Sequence, residues 1–229
     1  MSDVPPRRRV AAIVGLVLAL VVPALVTTFP IIQIPDEDSS TRAVLLNEAG
    51  MWTLTLALLA IVAFWERRPL ASIGLVPPTR RAVLFGAWVV LALAALAMVA
   101  AFAVVLGGLS GTSETHEDLV KTLPPWLQLI VVLTAGFSEE ILFRGYAIER
   151  MTELTGNRWI GAGLPILVFG GAHASFWGIG HAIVAGMTGF WLTLLYLWRR
   201  NLWTNITAHA LLDGLVFVAV DIATAQGLT

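Results

Sequence analysis

The chain has 229 residues, of which 58% are hydrophobic and only 13% are charged, and its formal net charge is -1. A soluble domain carries about 25% charged residues, so the composition argues against a soluble enzyme, and the near-zero charge argues against a nucleic-acid-binding protein with a basic surface. The sequence contains no cysteine, which excludes disulfides, thiolate zinc sites and a cysteine nucleophile.

Seven stretches are long and apolar enough to be transmembrane segments, for which about 20 mostly apolar residues are needed. Lipid offers no hydrogen-bond partner for free backbone groups, so each stretch is predicted to be a helix. The sequence therefore predicts an all-α, polytopic membrane protein with about seven transmembrane helices. In chain order the stretches cover residues 10–29, 49–65, 82–106, 125–148, 159–177, 180–198 and 202–220.

The first stretch follows three arginines and therefore shares one feature with a signal peptide. It is longer than the roughly 7 to 15 residues of a signal-peptide core, and no A-x-A cleavage site precedes Pro30. We therefore expect it to remain in the protein as a membrane anchor. No internal repeat or linker divides the chain, so residues 1–229 are predicted to form a single membrane-embedded domain.

The basic residues indicate the orientation, because loops rich in Arg and Lys stay on the cytoplasmic side. Seven crossings with a cytoplasmic N-terminus leave only Arg42 and Lys121 in outer connections. The preference for Arg over Lys hints at a GC-rich bacterial genome, so a bacterial cell membrane is the expected location. The basic residues predicted to lie in cytoplasmic connections are Arg7, Arg8, Arg9, Arg67, Arg68, Arg80, Arg81, Arg150, Arg158, Arg199 and Arg200.

Six ionisable residues interrupt the apolar stretches. A charged side chain at the bilayer centre costs roughly 2.5 to 3.5 kcal/mol, so such residues usually have a function. A charged cluster at a helix end, with its arginine reaching the lipid phosphates, is the structural alternative, but it does not explain two adjacent carboxylates. The six residues are Glu139, Glu140 and Arg144 in the fourth stretch, His173 in the fifth, and His209 and Asp213 in the seventh.

Spacing and depth favour a single polar site. Glu140 and Arg144 are four residues apart and share a helix face. His209 and Asp213 have the same spacing, which suits a carboxylate that orients an imidazole, although it also suits a simple helix-stabilising pair. At about 1.5 Å per residue, the helices bring these groups to overlapping depths, near the mid-plane or towards the cytoplasmic half. His173 by itself is more typical of a packing residue.

Three motifs in order resemble those of the CPBP intramembrane proteases, a family that includes the CAAX prenyl endopeptidases and bacterial bacteriocin-processing and immunity proteins. The motifs are E-E-x-x-x-R at residues 139–144, F-x-x-x-H at 169–173 and H-x-x-x-[ND] at 209–213. The motif-bearing core covers about residues 125–215. The stretch L-A-S-I-G-L at residues 70–75 is similar to a weaker feature of the family.

The resemblance implies a CAAX-protease-like helical bundle in the lipid bilayer. It also implies hydrolysis of a peptide bond in a membrane-associated or lipidated protein, without a cofactor or a covalent intermediate. Glu139 is implied to be the general base, assisted by His173, while His209 and the residue at Asp213 are implied to stabilise the oxyanion. The residues implied to support the site are Glu140, Arg144 and Phe169.

Asp213 departs from the family pattern, which commonly has Asn at this position. An Asn amide can donate a hydrogen bond to an oxyanion, whereas an ionised carboxylate can only accept one. Asp213 must therefore be protonated, or it serves instead by fixing the tautomer of His209 through acceptance of an imidazole N–H, and the second is our hypothesis.

Three other functions compete with a metal-independent protease. A zinc metalloprotease is one, with Glu139, His173 and His209 as ligands and water as the fourth, although the H-E-x-x-H signature is absent. The second is a transporter or proton-coupled channel, although no repeated half is visible. The third is a non-catalytic membrane scaffold or immunity protein of the same fold.

Overall fold

The computed structural model describes residues 5–28, 37–109 and 123–226, and within these ranges it contains helices and connections but no strand. Helix α1 covers residues 6–28 and α2 covers residues 37–65. The other long helices are α3 (Arg80–Leu106), α4 (Pro125–Thr155), α5 (Arg158–Trp177), α6 (Ile179–Arg199) and α7 (Leu202–Ala225).

The helices confirm the predicted polytopic all-α fold. In the described part of the chain, six of these seven helices are both long and apolar enough to cross a membrane. The exception is α5, although it has 20 residues. On α3, the large apolar side chains of Trp88, Met98 and Leu106 are largely exposed. Such side chains are expected on a helix whose outer face contacts lipid rather than water.

Helix α4 lies at the centre of the bundle, and residues 140–148 within it are all buried. Its segment Ala135–Ala147 is wound as a π-helix of 13 residues. Such segments are uncommon and are frequently found at functional sites. This segment contains the whole E-E-x-x-x-R motif.

Asparagine caps position the starts of α5 and α7. The Asn157 side chain accepts hydrogen bonds from the backbone N–H groups of Trp159 and Ile160, and the Asn201 side chain accepts one from Trp203. Both residues have extended backbone, as an N-cap requires. The caps therefore determine where the helices that carry the two motif histidines begin.

A buried ion pair attaches the α2–α3 connection to α4. The prediction that Arg150 lies in a cytoplasmic connection is wrong, because this residue belongs to α4 and is only 2% exposed. Its Nη2 lies 2.6 Å from Oε2 of Glu66, and the Tyr146 hydroxyl donates to Oε1 of Glu66 at 2.8 Å. The hydropathy pattern predicted the end of this helix too early, since a paired arginine can be buried where an unpaired one cannot.

The L-A-S-I-G-L stretch forms a tight turn that contacts two helices. Its 3-10 segment Leu70–Ile73 ends at Gly74, which has φ of 76°, and the Gly74 carbonyl accepts a hydrogen bond from the Leu202 N–H at 2.9 Å. A Cβ atom on Gly74 would lie only 2.7 Å from Cε2 of Tyr196 on α6. This position therefore requires glycine both for its backbone conformation and for the close approach of Tyr196.

We expect Gly74→Ala to destabilise the protein by about 3 kcal/mol, since it combines a left-handed backbone with overpacking against Tyr196. Gly156→Ala is the matched control, because Gly156 has φ of 68° but a Cβ atom there would meet no other atom within 4 Å. The control should lose only about 1 to 2 kcal/mol. Unfolding midpoints in detergent measure both, and equal losses would contradict the packing role of Gly74.

Candidate active site

The Glu140 carboxylate is the centre of a buried hydrogen-bond network. Its Oε1 accepts hydrogen bonds from Arg144 Nη1 at 2.8 Å and from His209 Nδ1 at 2.9 Å. Its Oε2 accepts a third from Asn205 Nδ2 at 3.0 Å. Because three donors from α4 and α7 converge on one carboxylate, the charge of this fully buried group is compensated within the protein.

Arg144 is fixed by a second contact, because its guanidinium lies over the Phe169 ring with 4.2 Å between Cζ and the ring centroid. Such stacking is a favourable cation–π arrangement. Gly189 on α6 leaves room for it, since a Cβ there would lie 2.8 Å from Phe169 Cδ1 and 2.9 Å from Arg144 Nη2. Glu140, Arg144 and Phe169 therefore form the rigid base on which His209 is positioned.

His209 contacts acidic groups at both ring nitrogens. Nδ1 is bonded to Glu140, while Nε2 lies 3.7 Å from Oε2 of Glu139 and 3.5 Å from Oδ2 of Asp213. Glu140 thus occupies the hydrogen-bonding position at Nδ1, whereas Asp213 faces Nε2, and the role of Asp213 in fixing the His209 tautomer stays a hypothesis. A carboxylate and a ring lone pair repel each other, so a proton must lie on Nε2 or on one of the two carboxyl groups facing it.

His173 has its tautomer fixed by its own helix. Its Nδ1 lies 2.7 Å from the Phe169 carbonyl oxygen, which can only accept a hydrogen bond, so Nδ1 carries the proton. When the ring is neutral, Nε2 therefore presents its lone pair. The ring also packs against Phe169 at a tilt of 52° and stacks on His181, at centroid distances of 4.6 and 5.7 Å. His173 is thus held as a base or hydrogen-bond acceptor.

A cavity of about 550 Å³ lies between α1, α2, α4 and α5. Glu139 and His173 both line it, and the Glu139 side chain is 19% exposed although Glu140 next to it is completely buried. The two adjacent carboxylates therefore have different surroundings, one open to the cavity and one inside the protein. The rest of the lining is mainly apolar, with polar groups from Asn47, Glu48 and Thr134.

The cavity lies in the half of the bundle that is opposite the start of α1. It is lined by Val22 and Val26, late in α1, and by His173, near the end of α5. Glu139 itself is near the middle of α4. The carboxylates are thus close to the middle of the bundle, and the cavity extends from there towards the half opposite the start of α1.

The structure brings all the predicted site residues into one region. The carboxylates of Glu139 and Asp213 both face Nε2 of His209. His173 contacts Phe169 and lines the same cavity as Glu139. Two further polar residues of this region, Asn205 and Glu48, were not predicted from the sequence. Asn205 lies four residues before His209 on the same helix face, a spacing visible in the sequence, whereas Glu48 lies one residue outside the predicted second stretch.

The zinc alternative considered above uses Glu139, His173 and His209 as ligands. Within residues 5–28, 37–109 and 123–226, no group of three or more His, Asp or Glu side chains is arranged to hold a metal ion.

A comparison of the sequence with known protein families found one matching family model. Residues 121–215 match the family model described as Rce1-like, type II CAAX prenyl endopeptidase Rce1-like. The matched segment contains every residue of the three motifs, which confirms their resemblance to the CAAX proteases and supports a CAAX-type intramembrane endopeptidase in general. No curated protein and no solved structure matched the chain significantly.

Proposed function

We propose that this chain, whose residues 121–215 match the type II CAAX prenyl endopeptidase family, hydrolyses a peptide bond of a membrane-associated protein with water activated by Glu139 and His173. One observation carries the proposal. A partly exposed carboxylate and a histidine of fixed tautomer line the same cavity, and His209 approaches that carboxylate from a third helix.

Glu139 acts as the general base. Its carboxylate accepts a proton from water as the water oxygen attacks the carbonyl carbon of the substrate. Nε2 of His173 accepts a hydrogen bond from the same water molecule and so orients it for the attack. Positioned general bases contribute about 10² to 10⁴ in rate. Glu140 cannot take this role, because it is fully buried and its oxygens already accept three hydrogen bonds.

His209 supplies the proton donor for the oxyanion. The Nδ1–H group of His209 donates to Glu140. A second proton, on Nε2, then points towards Glu139, next to which the substrate oxygen becomes negatively charged. Collapse of the tetrahedral intermediate breaks the C–N bond, and the proton taken up by Glu139 passes to the leaving amine. Each such donor contributes about 10² to 10³ in rate.

Asp213→Asn is expected to retain activity within about threefold of the wild type, or to exceed it, because Glu140 rather than Asp213 holds His209 and an amide adds a donor for the oxyanion. Initial rates of cleavage with the purified protein measure the effect. Asp221→Asn is the matched control, since Asp221 is on the same helix but contacts Gln128 instead. A loss of about 100-fold in Asp213→Asn alone would show that the carboxylate is required.

Activity is expected to be independent of metal ions, since Glu139, His173 and His209 carry out the steps without one. Cleavage rates of the purified protein should change less than about twofold after prolonged treatment with EDTA or 1,10-phenanthroline. Loss of activity on chelation, followed by recovery with zinc, would support the metalloprotease alternative.

For localisation, we propose a bacterial cell membrane with the N-terminus in the cytoplasm, based on the distribution of arginines. The cavity then extends into the outer half of the bilayer. Because the natural sequence contains no cysteine, single cysteines can be introduced at Arg8 and at Gln226 without a background. Only the second should react with a membrane-impermeant maleimide in intact cells, and the reverse labelling pattern would contradict this orientation.

The function itself is tested without a known substrate. Protein N- and C-termini are compared by mass spectrometry across cells that carry either the wild type or Glu139→Gln at matched expression. Termini that occur only with the wild type are expected, and they identify the substrates. Indistinguishable profiles under several growth conditions would favour a scaffold or a transporter.

A further inference from the structure

Glu48 of α2 is a second carboxylate in the wall of the proposed catalytic cavity. It is 7% exposed and lines the same cavity as Glu139 and His173. The two carboxylates come from different helices and line one cavity. None of the motifs contains Glu48, and the proposed mechanism does not use it.

The Glu48 side chain is held in place by neutral donors. Asn47 Nδ2 donates to Oε1 of Glu48 at 3.1 Å, and the Thr134 hydroxyl is a further hydrogen-bond partner. That hydroxyl is itself oriented, because its oxygen accepts a hydrogen bond from Trp52 Nε1 at 3.0 Å. The carboxylate is therefore fixed in a defined position at the cavity wall.

Glu48 differs from the other membrane-level and buried glutamates in having no basic partner. Among the described residues, Glu66, Glu140 and Glu149 each form an ion pair with an arginine, and Glu139 faces His209, whereas no Arg, Lys or His contacts Glu48 and no Arg or Lys lines the cavity. A buried carboxylate without a counter-charge costs several kcal/mol. A cation entering the cavity would remove that cost, whereas an anion would meet two carboxylates.

We infer that Glu48 is a specificity-determining residue that selects substrates with a Lys or Arg side chain close to the scissile bond. The inference rests on the proposed endopeptidase function and defines its substrate class. The aliphatic part of a lysine or arginine would lie along the apolar lining, and its charged end would contact Glu48. A substrate whose only charge near the scissile bond is a carboxylate is disfavoured.

Cleavage-site profiling with the purified full-length protein in lipid nanodiscs tests this role. The substrates are membrane proteins of a host that lacks the chain, incorporated into the same lipid particles, so that membrane-associated sites and internal Lys, Arg, Asp and Glu all remain. The wild type should prefer Lys or Arg at one position near the scissile bond by about tenfold. Glu48→Gln should lose this preference while still cleaving neutral sites, and Glu48→Lys should favour Asp or Glu there.

Two controls separate specificity from general damage. Glu153→Gln removes a carboxylate outside the cavity and should leave the profile unchanged, while Glu139→Gln defines the background. A second measurement needs only the wild type. Butylguanidine should inhibit cleavage of basic peptides, whereas butylurea, which has a similar shape but no charge, should not.

The outcomes are distinct. A wild-type profile without basic preference, an unchanged preference in Glu48→Gln, or equal effects of the two small molecules would each overturn the role of Glu48 while leaving the endopeptidase intact. Absence of any cleavage above the Glu139→Gln background would overturn the proposed endopeptidase, and the role of Glu48 with it.

Discussion

Glu139→Gln is expected to lower the rate of peptide hydrolysis at least about 10³-fold without unfolding the protein. The glutamine side chain has nearly the shape of glutamate but cannot accept a proton from water. Glu139 is partly exposed to the cavity, and the glutamine carbonyl oxygen can still face Nε2 of His209, so the replacement leaves no buried charge unpaired. The turnover number of the purified protein on a substrate found by terminal profiling measures the effect.

The kinetic pattern distinguishes a base from a binding residue. Loss of the base should reduce kcat with little change in KM, because the substrate still binds in the cavity. Glu139→Asp keeps the carboxylate but withdraws it by one methylene, so partial activity is expected. A Glu139→Gln variant with more than about a tenth of wild-type turnover would assign the base to another residue.

Arg144→Met is expected to cost about 3 to 5 kcal/mol of stability and to abolish hydrolysis. Removal of the arginine leaves the fully buried Glu140 without its main counter-charge, which is the most costly way to break an ion pair. The methionine also loses the stacking on Phe169. Unfolding in detergent, followed by helical signal, measures the stability.

Two further variants test whether the unpaired buried charge causes the loss of stability in Arg144→Met. Arg200→Met removes an ion pair with Glu149 whose arginine side chain is 62% exposed, and it should cost less than about 1 kcal/mol. The double variant Glu140→Gln with Arg144→Met should recover part of the stability, since no buried charge remains unpaired, but not the activity, since His209 loses its orienting carboxylate. Equal losses for Arg144→Met and Arg200→Met would contradict a special role of the buried pair.

Patterns along single helices were readable from the sequence. Apolar stretches predicted seven helices, and the spacing of four predicted that Glu140 contacts Arg144. These features depend on helix geometry and hydration alone, which act within one segment. The same rule brought Asp213 close to His209, but spacing could not tell which ring nitrogen it approaches.

Contacts between helices could not be read in the same way. The orientation of His209 depends on Glu140 from another helix, and the burial of Arg150 depends on Glu66 in a distant connection. Hydropathy ends a segment at a charged residue, because it treats every charge as solvated. Glu48 was excluded for this reason, although it lies within α2 and accepts hydrogen bonds from neutral donors of Asn47 and Thr134.

The most direct measurement of the central claim uses purified protein, vesicles and isotopically labelled water. The wild type or Glu139→Gln is reconstituted with membrane proteins from a host that lacks the chain, in H₂¹⁸O, and new C-termini are analysed by mass spectrometry. Hydrolysis predicts new carboxyl termini that contain ¹⁸O with the wild type and none with Glu139→Gln. Equal termini in both samples, or no new termini with the wild type, would contradict an endopeptidase that activates water at Glu139.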